Sequence, residues 1–175
     1  QRQMCIRDRY SYKYIAAVLN STLTDYLYKK LTQEEGRTFA EVKPANVRKL
    51  YIPKATREEQ DLLSILYDYL VFLKNPNQTD SFVSLNSMFI DLFEKIIDGC
   101  VYELLFREHM KEREIDIMSY LYQQIKPIEG LSDQDKNNII ISVHSNIFMT
   151  DNPARARLKL FVSRSPEYLK PIIQH

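Results

Sequence analysis

Apolar side chains recur at helical spacing along most of this 175-residue chain, and that period constrains its fold more than any other feature. Ile15, Leu19, Thr22, Leu23, Tyr26 and Leu27 fall at i, i+4, i+7, i+8, i+11 and i+12, so residues 11–31 are expected to form one amphipathic helix. Leu62, Leu66, Tyr69, Leu70 and Leu73 make a second stripe. Leu85, Phe89, Leu92, Phe93, Ile96, Cys100, Leu104 and Leu105 make a third, over residues 82–106. Shorter stripes follow at Ile115, Met118, Leu121, Tyr122 and Ile125, at Ile139, Ile140, Val143 and Ile147, and at Leu158, Phe161 and Val162. "FREHMKERE" between the third and fourth reads as a charge-rich break or as a solvated turn of the same helix.

Local signals mark the ends of these helices. Thr56-Arg57-Glu58-Glu59 is a capping box, in which the Thr56 hydroxyl and the Glu59 carboxylate each satisfy a backbone N–H of the other residue. Ser132, with Asp133 and Asp135 behind it, and Asn152 followed by Pro153 are further helix starts. The three glycines, at 36, 99 and 130, are too few for a turn-rich β fold, and no GxGxxG or Walker-type phosphate loop exists. Gly36 ends the polar stretch after the first helix, while Gly99 sits inside the third stripe, where it allows close helix approach. Pro44 and Pro53 forbid a long helix between them and push the preceding residues toward extended geometry. Thr38–Val42 and Leu50–Ile52 are therefore expected to be short extended pieces around a turn at Ala45–Lys49. The fold class that results is mainly α, with helical bundle-like packing and a small β element near residues 38–52.

"KNPNQTDS" is the best internal boundary. The expected organisation is a leader at 1–10, a first unit at 11–75, a linker at 76–84 and a helical tail domain at 85–175. The leader begins "QRQMCIRDR", which has no period and resembles translated adapter sequence; it is read as non-native or disordered, and the natural chain is expected to extend upstream. Cys5 and Cys100 match no metal or redox spacing, Cys100 reads as a small core residue, and the pattern fits a reducing cytoplasm. No run of about 18 apolar residues exists to span a membrane.

Signals for catalysis are poor. His109, His144 and His175 are isolated, with no second ligand at i, i+4, so neither a metal site nor a catalytic residue is assigned. His109 lies among charges and is expected to face solvent, and His144 to lie half-buried on a helix surface. Charge offers more. Residues 1–60 hold 12 Lys/Arg against 7 Asp/Glu, and residues 61–175 hold 12 against 16, which points to a polyanionic partner for the first third. Lys29, Lys30, Arg37, Lys43, Arg48, Lys49 and Lys54 cluster in sequence with Tyr26, Tyr28, Phe39 and Tyr51. Cations interleaved with aromatics in an irregular segment suit phosphates and base edges. The last turn of the first helix is also where Lys29 and Lys30 complement the macrodipole without any ligand.

"IAAVLNSTLTDYLYKK", followed by "TFAEVKPANVRKLYIPKATREEQDLLSILYDYLVFLK", resembles the closing part of the TaqI-like C-terminal specificity domain, the target-recognition module of adenine-specific DNA methyltransferases in restriction–modification systems. The resemblance is carried by Leu19-Asn20-Ser21, by "LYIPK" at 50–54 and by Glu58-Glu59-Gln60. "LFEKIIDGCVYELLFREHM" resembles the "IDxxVYELYF" helix in the tail of type IIG enzymes, and "NPARARLKLFVSRSPEYLKPII" their last segment. The likeness implies the C-terminal part of a larger enzyme. Its catalytic domain, with S-adenosylmethionine and the Asn-Pro-Pro-Tyr motif, would lie upstream and accept a flipped adenine. "NPAR" at 152–155 lacks the second proline and the aromatic of that motif. The implied partners are double-stranded DNA and the upstream methyltransferase domain of the same chain. Lys29, Lys30, Arg37, Lys43, Arg48, Lys49, Lys54 and Tyr51 are the candidate DNA contacts. The alternative reading is a helical protein–protein interaction or scaffold domain with no DNA role.

Overall fold

The computed structural model describes residues 10–32, 43–75 and 83–174. Among these, the long helices are α1 (Tyr12–Leu19), α2 (Thr22–Thr32), α4 (Arg57–Leu73), α5 (Val83–Leu105), α8 (Asp133–Phe148) and α9 (Pro153–Arg164). Short helices α3 (Pro44–Val47), α6 (Arg107–Glu112), α7 (Met118–Leu121) and α10 (Lys170–Ile173) connect or close them. Helix α4 packs against both α1 and α5, α9 leans on α5, α7 and α8, and α10 returns to α2. One buried cluster includes Tyr14, Leu66, Tyr69, Phe93, Ile96, Ile117, Leu121 and Ile147, so both expected units, 11–75 and 85–175, contribute to it.

The helix starts behave as their sequences dictate. Glu59 N donates to Thr56 Oγ1 at 3.3 Å and Thr56 N donates to Glu59 Oε2 at 2.7 Å, completing the capping box of α4. Asp135 N donates to the Ser132 hydroxyl at 3.2 Å, and Ala154 N to Asn152 Oδ1 at 3.0 Å, with Pro153 at the first position of α9. Cys100 is a buried free thiol.

The single helix expected over 11–31 is broken at Asn20–Ser21. Asn20 caps α1, its Nδ2 donating to Ala16 O at 2.8 Å. The buried Ser21 hydroxyl donates to Val18 O at 2.7 Å and accepts from Thr24 N at 3.3 Å. Asp98 of α5 then accepts from Thr22 N at 2.8 Å and Thr22 Oγ1 at 2.6 Å, capping α2 from another element. A carboxylate at a helix N-terminus is favourable, and this one lies 76 residues away in sequence, beyond the reach of any local pattern.

The small β element is not present among the described residues. Thr38–Val42 lies outside them, as do residues 1–9, Gly36 and positions 76–82 of the expected linker. Leu50–Ile52 pairs with no strand. The chain turns tightly just before it, with Lys49 N donating to Asn46 O at 3.0 Å and Leu50 N to Val47 O at 3.1 Å. Past the turn it takes no regular structure, and Pro53 brings no N–H to a ladder. The Pro53 carbonyl instead accepts from Tyr14 Oη at 2.7 Å, so a buried phenol holds the segment where a strand would have been needed.

Helix α5 meets its neighbours at close range. It ends at Leu105, and Phe106, with φ −116° and ψ 36°, separates it from α6, so "FREHMKERE" is a break. A Cβ on Gly99 would lie 2.5 Å from Ile117 Cδ1 and 3.0 Å from the Phe161 ring. Four residues on, Glu103 accepts from Ile117 N at 2.6 Å and Met118 N at 2.9 Å, which fixes the start of α7. Burial raises the Glu103 carboxyl above its usual range and outweighs those two N–H bonds. Tyr69 of α4 is fully buried edge-on to Phe93, at 5.1 Å, and its hydroxyl donates to Lys126 O.

Because both neighbours of Gly99 are buried, Gly99→Val is expected to lower the unfolding free energy by about 1–3 kcal/mol through overpacking. Urea denaturation measures it; an unchanged midpoint would mean that α5 is free to move aside.

Candidate nucleic-acid interface

Val47, Leu50 and Ile52 are half-buried and Pro53 is buried, so the apolar residues of 43–54 anchor it to the helices beneath. Its polar residues face outward. Lys43, Arg48, Lys49 and Lys54 are exposed, and Tyr51 is 59% exposed. No ion pair engages these four cations among the described residues. At its start the segment is tied to α2, Lys43 N donating to Tyr28 Oη at 3.0 Å. That bond brings the C-terminal end of α2, with Lys29 and Lys30, beside α3.

The two helix lysines are placed differently from the loop cations. Lys29 pairs with Asp25 one turn back at 2.8 Å, and Lys30 lies 5.7 Å from the centre of the Tyr26 ring. Local helix chemistry therefore occupies both. Arg37 lies outside the described residues. The structure thus gathers Lys43, Arg48, Lys49, Lys54 and Tyr51 on one anchored segment, with Lys29 and Lys30 adjoining it through α2.

Just beyond Lys54, the capping glutamate of α4 has a second role that its sequence does not announce. Glu59 Oε1 accepts from Arg107 Nη1 at 2.7 Å, tying the start of α4 to α6. Burial opposes ionisation of Glu59, but the Arg107 guanidinium and the Thr56 N–H together hold its carboxyl below the usual range.

His109 and His144 are both held in packing contacts between elements. His109 was expected at the solvent face; its side chain is only 17% exposed, its Nε2 lies 2.8 Å from Ser165 Oγ, and its ring meets Tyr168 edge-on at 4.6 Å. The charged neighbours in sequence misled because α6 turns this position onto α9 and the segment that follows it. Ser165 is fully buried, so the pair is a tether between α6 and the segment after α9. His144 is buried, more than half-way, against Phe89 at 4.4 Å and stacked on Phe148 at 5.4 Å, and burial lowers its pKa. Among the described residues no group of His, Cys, Asp and Glu is arranged to hold a metal ion, and no helix is long and apolar enough to cross a membrane. No family model matches the chain, and no curated protein or solved structure matches it.

Arg107→Met is expected to cost about 1 kcal/mol at neutral pH, less than a fully buried pair because the guanidinium is partly in water. A carboxyl with a lowered native pKa stabilises the fold above its usual range and loses that contribution as pH falls through its native value. The gap between Arg107→Met and the parent chain should therefore close as the medium is acidified below the usual carboxylate range, in urea titrations at a series of pH values. A gap that stays constant would show that the ion pair is not its source.

Proposed function

We propose that the chain is a DNA target-recognition module, the C-terminal part of a site-specific adenine-N6 DNA methyltransferase of the type IIG restriction–modification kind, itself without catalytic motifs. The observation that carries this reading is the anchored segment 43–54, whose four exposed cations have no ion-pair partner among the described residues. Cations that stabilise a fold are normally paired or packed, whereas these are held on an ordered backbone and left available. Lys43, Arg48, Lys49 and Lys54 would contact phosphates and set register, and Tyr51 offers an exposed ring beside them. Lys29, Lys30 and Arg37 are the outer members of the same surface in sequence. The resemblance in "LNS", "LYIPK" and the "VYELLF" helix supports the same reading.

S-adenosylmethionine is expected in the upstream catalytic domain. Gly99 is packed inside α5 and Gly130, with φ 76°, is an exposed turn, so neither opens a backbone cradle for the cofactor. In this proposal the cofactor, the flipped adenine and any nuclease chemistry belong to an upstream domain, and the helical tail docks against it.

The second reading, a helical interaction domain without a DNA role, draws on a specific feature. Ile141, Phe148 and Met149 are all exposed at the C-terminal half of α8 and just beyond it. Apolar residues grouped in this way favour a protein partner.

Duplex-DNA binding by the chain separates the two. Affinity should fall steeply between about 50 and 200 mM salt, and Arg48→Ala and Lys49→Ala should each weaken binding for all sequences while lowering the salt slope by about one. Binding that is absent, or that does not respond to salt, would overturn the DNA reading and leave the interaction domain.

A further inference from the structure

A second surface has the opposite sign. An open groove of about 760 Å³ lies between α4 and α5 and is closed on its third side by the elbow joining α1 to α2. Its α4 wall is Tyr67, Leu70, Val71 and Lys74, and its α5 wall is Asp91, Glu94, Lys95 and Asp98. Both sets are spaced i, i+3, i+4, i+7, so each is a straight stripe along its helix, about 10 Å long.

The two walls differ in chemistry. Helix α4 already buries Leu62, Leu63, Leu66, Tyr69, Phe72 and Leu73 in the core. Tyr67, Leu70 and Val71 form an additional apolar flank, with Val71 54% exposed. The α5 wall is mostly acidic, its one cation being the exposed Lys95. Lys74 neutralises Glu94 across the groove at 2.6 Å, and Lys29 neutralises Asp25 at the elbow at 2.8 Å. Asp91 is exposed, Asp98 accepts hydrogen bonds from Thr22, and no cation pairs with either among the described residues.

We infer that this groove docks an amphipathic helix whose apolar face lies on Tyr67, Leu70 and Val71 and whose Lys or Arg flank meets Asp91 and Asp98. Helix-in-groove recognition needs an apolar trough two turns long and a means of setting orientation. The α4 stripe supplies the first. The carboxylates without a cation among the described residues, Asp91 and Asp98, both lie on the α5 wall and supply the second, because only one rotation of the incoming helix places its cations against them. Duplex DNA is disfavoured here by the same carboxylates. The groove adds a partner surface distinct from segment 43–54 and does not depend on the DNA reading.

The test uses the full chain and a synthetic amphipathic peptide of about 14 residues, with Leu at i, i+3, i+4 and i+7 and Lys along one flank. The control peptide carries Glu in place of Lys. Fluorescence anisotropy should show binding of the Lys peptide, weakened by about tenfold or more by the Glu exchange or by Asp91→Lys, and also weakened by salt. Val71→Glu, on the apolar wall, should weaken binding without removing its salt response. Both positions are exposed, and thermal melting followed by circular dichroism confirms that the variants fold. No binding of the Lys peptide, equal binding of both peptides, or binding unaffected by Val71→Glu and Asp91→Lys would overturn the inference. The DNA assay with Arg48→Ala and Lys49→Ala reads a different surface, so the two proposals fail independently.

Discussion

Six consecutive residues of α5 set the position of three other elements. Asp98 caps α2 across the tertiary interface, Gly99 lets Ile117 and the Phe161 ring reach the helix backbone, and Glu103 holds the two N–H groups that open α7. Unlike hydrophobic burial, which is non-directional, these contacts specify position, since a carboxylate satisfies a given N–H at only one register and a missing Cβ admits a neighbour at only one point. Their cost is the burial of ionisable groups, visible in the raised carboxyls of Asp98 and Glu103. Charge-assisted bonds to helix N-termini offset that cost, and they do so where the helices need acceptors in any case.

The candidate DNA segment inherits its order from the same frame. Segment 43–54 has no sheet and only one turn of helix to stabilise it. Two phenols hold it instead, Tyr28 at Lys43 and Tyr14 at Pro53, from the helices on either side of the Asn20–Ser21 break. An unbroken helix over 11–31 would hold the two tyrosines in a single fixed register, fourteen residues apart. The break caps α1, lets Asp98 start α2, and places one tyrosine near each end of the segment. "LNS", read in the sequence as a mark of resemblance, thus has a concrete structural task in this chain.

Sequence and structure agree where the determining interaction is local. The caps at Thr56, Ser132 and Asn152 involve partners within three residues, so their chemistry can be read directly. The stripes likewise identified Leu66, Phe93, Ile96, Cys100, Ile140 and Ile147 as buried. Disagreement begins where the partner is distant. Nothing near Thr22 announces Asp98, nothing near Glu59 announces Arg107, and the charges around His109 conceal its contact with Ser165. The prolines excluded a long helix around Leu50–Ile52, but a strand also requires a neighbour, which no period can report. The exposed cations of the candidate surface were named from sequence. That Lys29 and Lys30 are engaged by Asp25 and the Tyr26 ring, while the four loop cations are not, needed coordinates.

A near-neutral chain can still segregate its charges, and α2 shows how. Its N-terminal turn carries Asp25 and receives Asp98, as the positive end of a helix dipole favours, and this end borders the acidic groove. Its C-terminal turn carries Lys29 and Lys30, as the negative end favours, and this end adjoins the cationic segment at Tyr28. The two ends meet in one ion pair, Lys29 with Asp25 at 2.8 Å, one turn apart along the helix. That pair cancels locally, so the charges left for partners are Asp91 and Asp98 at one end and Lys43, Arg48, Lys49 and Lys54 at the other. A polyanion at one end and a cationic helix at the other would bind without opposing one another. The net charge of +1 is therefore the sum of two surfaces and describes neither.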